Sequence, residues 1–212
     1  MVSGKSRLLN KDILFSALLL TIILVAGVKV LKLSSPPAIE LLQIELDTNK
    51  LAEGDLVFRK GRDLLSRLVL TQGESAQFSH VGIIVRHKGM ISVIHSLPES
   101  ASSVSGVQIE PLSSFISIEN ASDIAVYRLI KNDPKLIQKI RAYVLLQVGK
   151  PFDADFLLSS DNNIYCTELA VKAFAAAGVE LIANQAPIRV MLIDEPVIPP
   201  DYLRRSRLLK QI

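Results

Sequence analysis

A long uncharged segment near the N-terminus divides the chain into two parts that require different solvents. Residues 13–28 read ILFSALLLTIILVAGV and hold no charged side chain. As a helix, this segment would be about 24 Å long, slightly shorter than the ~30 Å hydrocarbon core of a bilayer. The amine of Lys29 can reach the headgroup layer, so the span can continue to residue 33. We therefore predict a transmembrane signal anchor over residues 13–33, preceded by a basic flank over residues 1–12.

The same segment also has the features of a secretory signal peptide. Residues 25–27, Val-Ala-Gly, form a tolerable cleavage site after the apolar region. The apolar region is long for a signal peptide and the small-residue site is imperfect, which favours an uncleaved anchor. In both interpretations the globular part lies outside the cytoplasm, in the periplasm if the source is a Gram-negative bacterium. Pro36 and Pro37 then begin a linker and short helix over residues 34–50.

Composition restricts the classes of protein that remain. The chain has 212 residues, of which 49% are apolar, so it can bury one core of ordinary size and is not disordered. Trp is absent, aromatic residues make up 5% and the net charge is only +3, which together disfavour nucleic-acid binding. The densest basic group is interpreted as a solvated chain end and consists of Arg204, Arg205, Arg207 and Lys210. We place the globular domain at residues 51–205 and a C-terminal tail at residues 206–212.

Apolar patterning predicts strands in the middle of this domain and helices around them. Alternating and β-branched runs predict strands over 56–58, 81–86, 90–95, 107–109 and 123–129. Helical spacing, a leading Pro134 and a terminating Gly178 predict helices over 134–149 and 167–177. This order is typical of an α+β fold and not of alternating βαβ units.

A tight hairpin is expected to bring two histidines together. If Lys88 and Gly89 form the turn, the numbers of paired residues sum to 177 (88 plus 89), and His80 and His95 become diagonal neighbours on one sheet face. Such neighbours have Cα atoms about 7–8 Å apart, a gap that two imidazole rings can bridge. His87 falls beside the turn and is not a catalytic candidate.

The single cysteine, Cys166, directly precedes the predicted helix 167–177. The N–H groups and positive dipole end of a helix N-terminus stabilise a thiolate, lower its pKa and can also stabilise an oxyanion. Helical spacing places Cys166 on the face of Leu169 and Ala170, so the thiol is expected to point toward the sheet. Two alternatives stay open at this point. One is a buried structural cysteine with two unrelated histidines, and the other is a zinc site of Cys166, His80 and His95 for which no fourth ligand is evident.

Four sequence pieces then occur in a characteristic order: GDLVF over 54–58, FSHVGI over 78–83, GKPFD over 149–153 and YCTEL over 165–169. Together they resemble the permuted NlpC-type papain-like cysteine amidases of the YiiX/YebB group, over roughly residues 50–205. The resemblance implies a circularly permuted papain-like α+β fold, with an antiparallel sheet packed on helices and the histidine strands before the cysteine helix.

The resemblance also implies roles for individual residues. Cys166 corresponds to the nucleophile and His80 to the base that takes its proton. His95 falls where relatives carry a third polar residue, often an acid, that orients the base. Glu99, in the loop four residues later, is the alternative orienter, and Tyr165 is a candidate for lining the pocket or donating to an oxyanion. The implied mechanism requires no metal and no organic cofactor.

We therefore expect a membrane-anchored extracytoplasmic thiol hydrolase that acts through a Cys-His acyl-enzyme. Its substrate would be an amide bond in a cell-wall peptide or an acyl-lipid bond at the membrane. The alternative is a non-catalytic module of the same fold that binds a lipid or a cell-wall peptide. A membrane scaffold ranks third, because the apolar span has only Ala17, Ala26 and Gly27 as small apolar residues.

Overall fold

An antiparallel sheet organises the part of the chain that the computed structural model describes, namely residues 46–62, 66, 76–99, 104–183, 185–189 and 193–212. The strands are β1 (Leu56–Gly61), β2 (His80–His87), β3 (Met90–Leu97), β4 (Gly106–Pro111), β5 (Ala121–Leu129) and β6 (Leu209–Gln211). They form one six-stranded sheet in the order β4-β3-β2-β1-β5-β6. Every neighbouring pair of strands is antiparallel, which confirms the predicted α+β class.

The helices are α1 (Leu112–Phe115), α2 (Pro134–Gln147), α3 (Cys166–Ala176) and α4 (Pro200–Arg204), with a 3₁₀ turn at Thr48–Lys50. The two long helices confirm the predictions over 134–149 and 167–177. Asp133 caps α2 by accepting a hydrogen bond from the backbone N–H of Lys135, and Pro134 begins the helix. The single-turn helices α1 and α4 were not predicted, because they are too short to show a helical period.

The predicted transmembrane anchor over 13–33 lies outside the described residues. None of the helices in the described ranges combines the length and the hydropathy that a transmembrane span requires.

The β2–β3 hairpin has the predicted register. Ile83 pairs with Ile94 and His87 pairs with Met90, so paired numbers sum to 177 along the hairpin. Lys88 and Gly89 both have positive φ, 50° and 78°, as a two-residue type I′ turn requires.

The two faces of the sheet are covered by different helices. On one face, strand residues including Phe58, Val81 and Ile83 pack with Ile140 of α2 and Leu169 of α3. The other face carries a smaller cluster under α1, made of Leu51, Val57, Ile84, Val93, Leu112, Phe115 and Val126. Alternation along the strands therefore divides neighbouring residues between the α2–α3 face and the α1 face.

The C-terminal residues complete the sheet. Leu209 to Gln211 pair with β5, and Ile212 donates its backbone N–H to the carbonyl of Val126. Arg204, in the basic group interpreted as a solvated end, donates from Nε to Asp201 at 2.8 Å. A three-residue edge strand is too short for periodicity to reveal.

Candidate active site

Four polar side chains lie in a row across consecutive strands on the α1 face. Arg59 of β1 is paired with His80 of β2. His95 of β3 is paired with Gln108 of β4, which makes Glu110 its diagonal neighbour on the same face. The row therefore consists of one residue from each of four adjacent strands.

The two histidines and the glutamate form a chain of short contacts. Nε2 of His80 lies 2.8 Å from Nδ1 of His95. Nε2 of His95 lies 3.0 Å from Oε1 of Glu110. Phe115 of α1 covers both rings, with its ring centroid 5.7 Å from that of His80 and 5.1 Å from that of His95. The predicted juxtaposition of His80 and His95 is thus confirmed, and the pair is buried.

Glu110 was not predicted as part of the site. The sequence pattern ended that strand at residue 109, and Glu99 was the acid considered. Glu99 is exposed, two residues beyond the end of β3, whereas Glu110 is the acid beside His95. If the predicted strand 107–109 had been extended by one residue, Glu110 would have been placed on the same face of β4 as Gln108, the residue that pairs with His95. The register between β3 and β4 depends on the connecting loop, which carries no turn signal comparable to Lys-Gly.

Arg59 is the second residue that the sequence did not reveal. Its guanidinium carbon lies 4.5 Å from the centre of the Phe115 ring, and Nη1 donates to the Phe115 carbonyl at 3.1 Å. Nη1 also lies 3.8 Å from Oε1 of Glu110. A buried cation beside a histidine favours the neutral imidazole, and burial together with Arg59 and His95 lowers the pKa of His80 well below its ordinary value.

Cys166 begins α3 and packs at the edge of the α2–α3 core. The residue as a whole is partly exposed. Burial raises the pKa of the thiol, against opposing effects from the Thr167 hydroxyl, the backbone N–H groups of Val81 and Thr167, and the Arg59 charge. Because the backbone N–H of Val81 acts on the thiol, the thiol lies near the residue that follows His80. The sequence led us to expect a lowered pKa; the N-terminal N–H groups do act in that direction, but burial is the larger effect.

The resting site therefore holds a neutral thiol and a neutral imidazole. Burial is the leading cause of both pKa shifts, upward for Cys166 and downward for His80. Both shifts disfavour a preformed thiolate–imidazolium pair.

Tyr165 fixes the start of α3. Its hydroxyl accepts a hydrogen bond from the backbone N–H of Ile198 at 3.3 Å, and its own N–H donates to Oε2 of Glu168 at 3.3 Å. Its ring lies 5.3 Å from that of Phe156 between centroids. Burial raises the pKa of the Tyr165 phenol, so it stays protonated. The hydroxyl hydrogen consequently remains available for donation.

The piece GKPFD connects β4 to the segment before the cysteine. Gly149 donates to the carbonyl of Val107, and Val107 donates to the carbonyl of Lys150, both at 2.8 Å. Buried Asp153 accepts from the backbone N–H groups of Asp155 and Leu157. The motif therefore has a structural role: it attaches this segment to β4 and fixes the backbone that follows Asp153.

The zinc alternative can be compared with the geometry. In the described ranges, no group of three or more His, Cys, Asp or Glu side chains is arranged to hold a metal ion. Nε2 of His80 and Nδ1 of His95 face each other at hydrogen-bonding distance.

Comparisons with known proteins agree with this fold. The crystal structure of the metalloprotein yiiX from Escherichia coli O157:H7 is similar, with a TM-score of 0.61, 20% sequence identity and coverage of 76% of this chain and 95% of that chain. At this identity the likeness shows the fold. No curated protein matches the sequence. The model of one family, described as permuted papain-like amidase enzymes, YaeF/YiiX, C92 family, matches residues 50–196. This chain, whose histidine strands precede its cysteine helix, belongs to that family of permuted papain-like amidases.

Proposed function

We propose that this protein is a thiol hydrolase in which Cys166 is the nucleophile, His80 the base and His95 the residue that orients the base. The observation that carries the proposal is the 2.8 Å contact between Nε2 of His80 and Nδ1 of His95, beside a thiol that the backbone N–H of Val81 stabilises. Family membership supports the class of chemistry.

The reaction proceeds through an acyl-enzyme. Because Nε2 of His80 is engaged by His95, Nδ1 is the nitrogen that accepts the thiol proton. The sulfur of Cys166 bonds to the substrate carbonyl carbon, and His80 returns its proton to the departing amine or alcohol. Water, deprotonated by His80, then attacks the thioester, and the thiol is regenerated as the acid leaves.

The N-terminus of α3 supplies the candidate oxyanion site. The backbone N–H groups of the first helical turn have no partner within the helix and can donate to a developing oxyanion. The protonated hydroxyl of Tyr165, adjacent in sequence to Cys166, is a further candidate donor.

We propose that the enzyme acts outside the cytoplasm while anchored to a membrane, on an amide of a cell-wall peptide or on an acyl-lipid bond. The uncharged apolar segment within 13–33 supports the anchor, since it approaches the length that a bilayer requires. An enzyme held at the bilayer surface would meet both kinds of substrate.

One observation favours a second candidate, a non-catalytic binding module of the same fold. Burial raises the pKa of Cys166, as it does for a structural cysteine. A binding module would retain its ligand without consuming it.

Turnover of acyl substrates distinguishes the two candidates. The full-length chain, purified in detergent, is assayed with matched N-acyl amide and O-acyl ester substrates. We expect hydrolysis of at least one class, its loss in Cys166→Ala and a reduction of about 10²–10⁴-fold in His80→Ala. His87→Ala is the matched control, because His87 ends β2 at the hairpin turn and its loss should leave the rate unchanged. Full activity in Cys166→Ala would exclude the proposed mechanism.

A further inference from the structure

Glu110 occupies a position from which it can control both histidines. We propose that Glu110 is a positioning residue for the His80–His95 pair, because its carboxylate lies 3.0 Å from Nε2 of His95, whose Nδ1 lies 2.8 Å from Nε2 of His80. The inference rests on the proposed Cys166–His80 pair and adds a residue of β4 to that site.

The carboxylate determines which nitrogen of His95 carries the proton. Burial raises the pKa of Glu110, but His95, the Ser114 hydroxyl and Arg59 outweigh that effect, so the pKa lies below its ordinary value and the group is ionised near neutral pH. An ionised carboxylate can only accept hydrogen bonds. Nε2 of His95 must therefore be the protonated nitrogen.

The position of the proton on His95 also determines which nitrogen of His80 is protonated. A neutral imidazole protonated on Nε2 has its lone pair on Nδ1, so His95 accepts a hydrogen bond from Nε2–H of His80. The proton of His80 is thereby held on Nε2, and its Nδ1 is left with a lone pair. That nitrogen is the one required to take the proton of Cys166. Without Glu110, His95 would lose the carboxylate acceptor that holds its proton on Nε2.

The charge of Glu110 also offsets that of Arg59. The groups facing the histidine pair are Arg59 from β1, Glu110 from β4, and Ser114 and Phe115 from α1. The Ser114 hydroxyl donates to Oε2 of Glu110 at 2.9 Å, and Nη1 of Arg59 is 3.8 Å from Oε1. When the thiol proton moves to Nδ1 of His80, a thiolate and an imidazolium form. The carboxylate stabilises this imidazolium through the neutral ring of His95.

Two variants separate the acceptor from the charge. Glu110→Gln keeps a side-chain oxygen that can accept from His95 but removes the charge, whereas Glu110→Ala removes both. Glu180→Gln, at an exposed acid that lies outside this row, is the matched control. One readout is the rate at which p-nitrophenyl acetate acylates the single cysteine of the full-length chain. The other is ¹⁵N NMR of the ring nitrogens, which is tractable because the chain has three histidines and His87→Ala identifies one.

We expect acylation to fall by about ten- to hundredfold in both Glu110 variants, because both remove the carboxylate charge that stabilises the imidazolium, and a charged hydrogen-bond partner contributes about that factor. The control should acylate at the wild-type rate. The spectra should show protons on Nε2 of His80 and His95 in the wild type and in Glu110→Gln, and a mixed population in Glu110→Ala.

An unchanged acylation rate in Glu110→Gln would overturn the inference, as would a wild-type His95 protonated on Nδ1. If Glu110→Ala does not fold, the nearly isosteric glutamine variant still decides the question. A wild-type protein that is not acylated at all would refute the proposed function instead. In that case the tautomers seen by NMR still test the positioning role of Glu110.

Discussion

The hydroxyl of Ser96 donates a 2.7 Å hydrogen bond to the carbonyl of Ile164. Ser96 follows His95 on β3, and Ile164 lies two residues before Cys166. Both residues are fully buried, with 0% exposure. This bond is therefore a direct link between the histidine strand and the segment that leads into the cysteine helix.

Removing this link should lower both stability and activity. Ser96→Ala leaves the buried Ile164 carbonyl without its side-chain donor, which we expect to reduce the free energy of unfolding by about 1–3 kcal/mol. Acylation of Cys166 should also slow, since the thiol is no longer held in register with His80. Urea denaturation and acylation kinetics measure the two effects. Ser122→Ala is the control, because its exposed hydroxyl bonds the carbonyl of Lys60 at 3.1 Å and water can replace it.

A methyl group at Gly82 should disturb the histidine pair. A Cβ there would lie 2.3 Å from Cγ1 of Val93 and 3.2 Å from Cβ of His95. We expect Gly82→Ala to reduce the free energy of unfolding by about 1–3 kcal/mol, as overpacking does, and to displace His95. The ¹⁵N spectrum of His95 should change with it. A variant with wild-type stability and an unchanged His95 spectrum would contradict the packing described for this hairpin.

The ion pair of Asp55 should matter more than a comparable exposed pair. Asp55 is 1% exposed and accepts from Nε and Nη2 of Arg128, both at 2.7 Å. Asp55→Asn should lower the free energy of unfolding by about 1.5–3 kcal/mol, because the lost bonds involve charged groups. Asp161→Asn removes an exposed acid that bonds Lys172, and it should lower the free energy of unfolding far less, because solvent screens an exposed pair. If the two variants lowered the free energy of unfolding equally, the buried Asp55–Arg128 ion pair would not be stabilising the start of β1 in the way described.

Stability should fall as the solution is made mildly acidic. Burial lowers the pKa of both His80 and His95, so the unfolded chain binds protons at a pH where the folded site does not. The contribution of these neutral histidines to the free energy of unfolding is therefore fully present above the ordinary histidine pKa. It declines as the pH falls below that value, by up to about 1.4 kcal/mol per pH unit for each buried histidine. Urea denaturation between about pH 7.5 and 5.5 measures this slope, above the ordinary pKa values of aspartate and glutamate.

Histidine variants assign that slope to the site. His80→Ala should reduce it, because one buried imidazole is gone. His87→Ala is the control, because His87 ends β2 at the hairpin turn and lies outside the histidine pair. A slope that disappears with His87, or stability that is flat over this range, would show that the histidine pair is not held neutral in the folded protein.

The parts of the site that the sequence predicted are those governed by local geometry. The Lys88–Gly89 turn determines the β2–β3 register, and this register brings His80 beside His95. The start of α3 follows in the same way from helical patterning after Cys166. The four motif pieces added the fold family, because their order along the chain is specific even though each piece alone is short.

The parts that the sequence did not predict depend on long-range packing. Glu110 reaches His95 through a strand register that the loop between β3 and β4 does not encode locally. In the sequence, Arg59 resembles any other basic residue in a strand. Its place in the site becomes evident only from the fold, in which Phe115 of α1 covers it. The pKa of Cys166 is raised because burial outweighs the helix terminus, and burial is a property of the assembled core.

Acylation of the single cysteine, followed by intact-protein mass spectrometry, tests the central claim most directly. The wild-type chain and His80→Ala are mixed with p-nitrophenyl acetate near neutral pH and quenched at successive times, with His87→Ala as the control. The account predicts one rapidly formed acetyl adduct on Cys166 in the wild type and in the control, and formation at least about a hundredfold slower in His80→Ala. A wild-type cysteine that stays unmodified, or a His80→Ala variant that acylates as fast as the wild type, would contradict it.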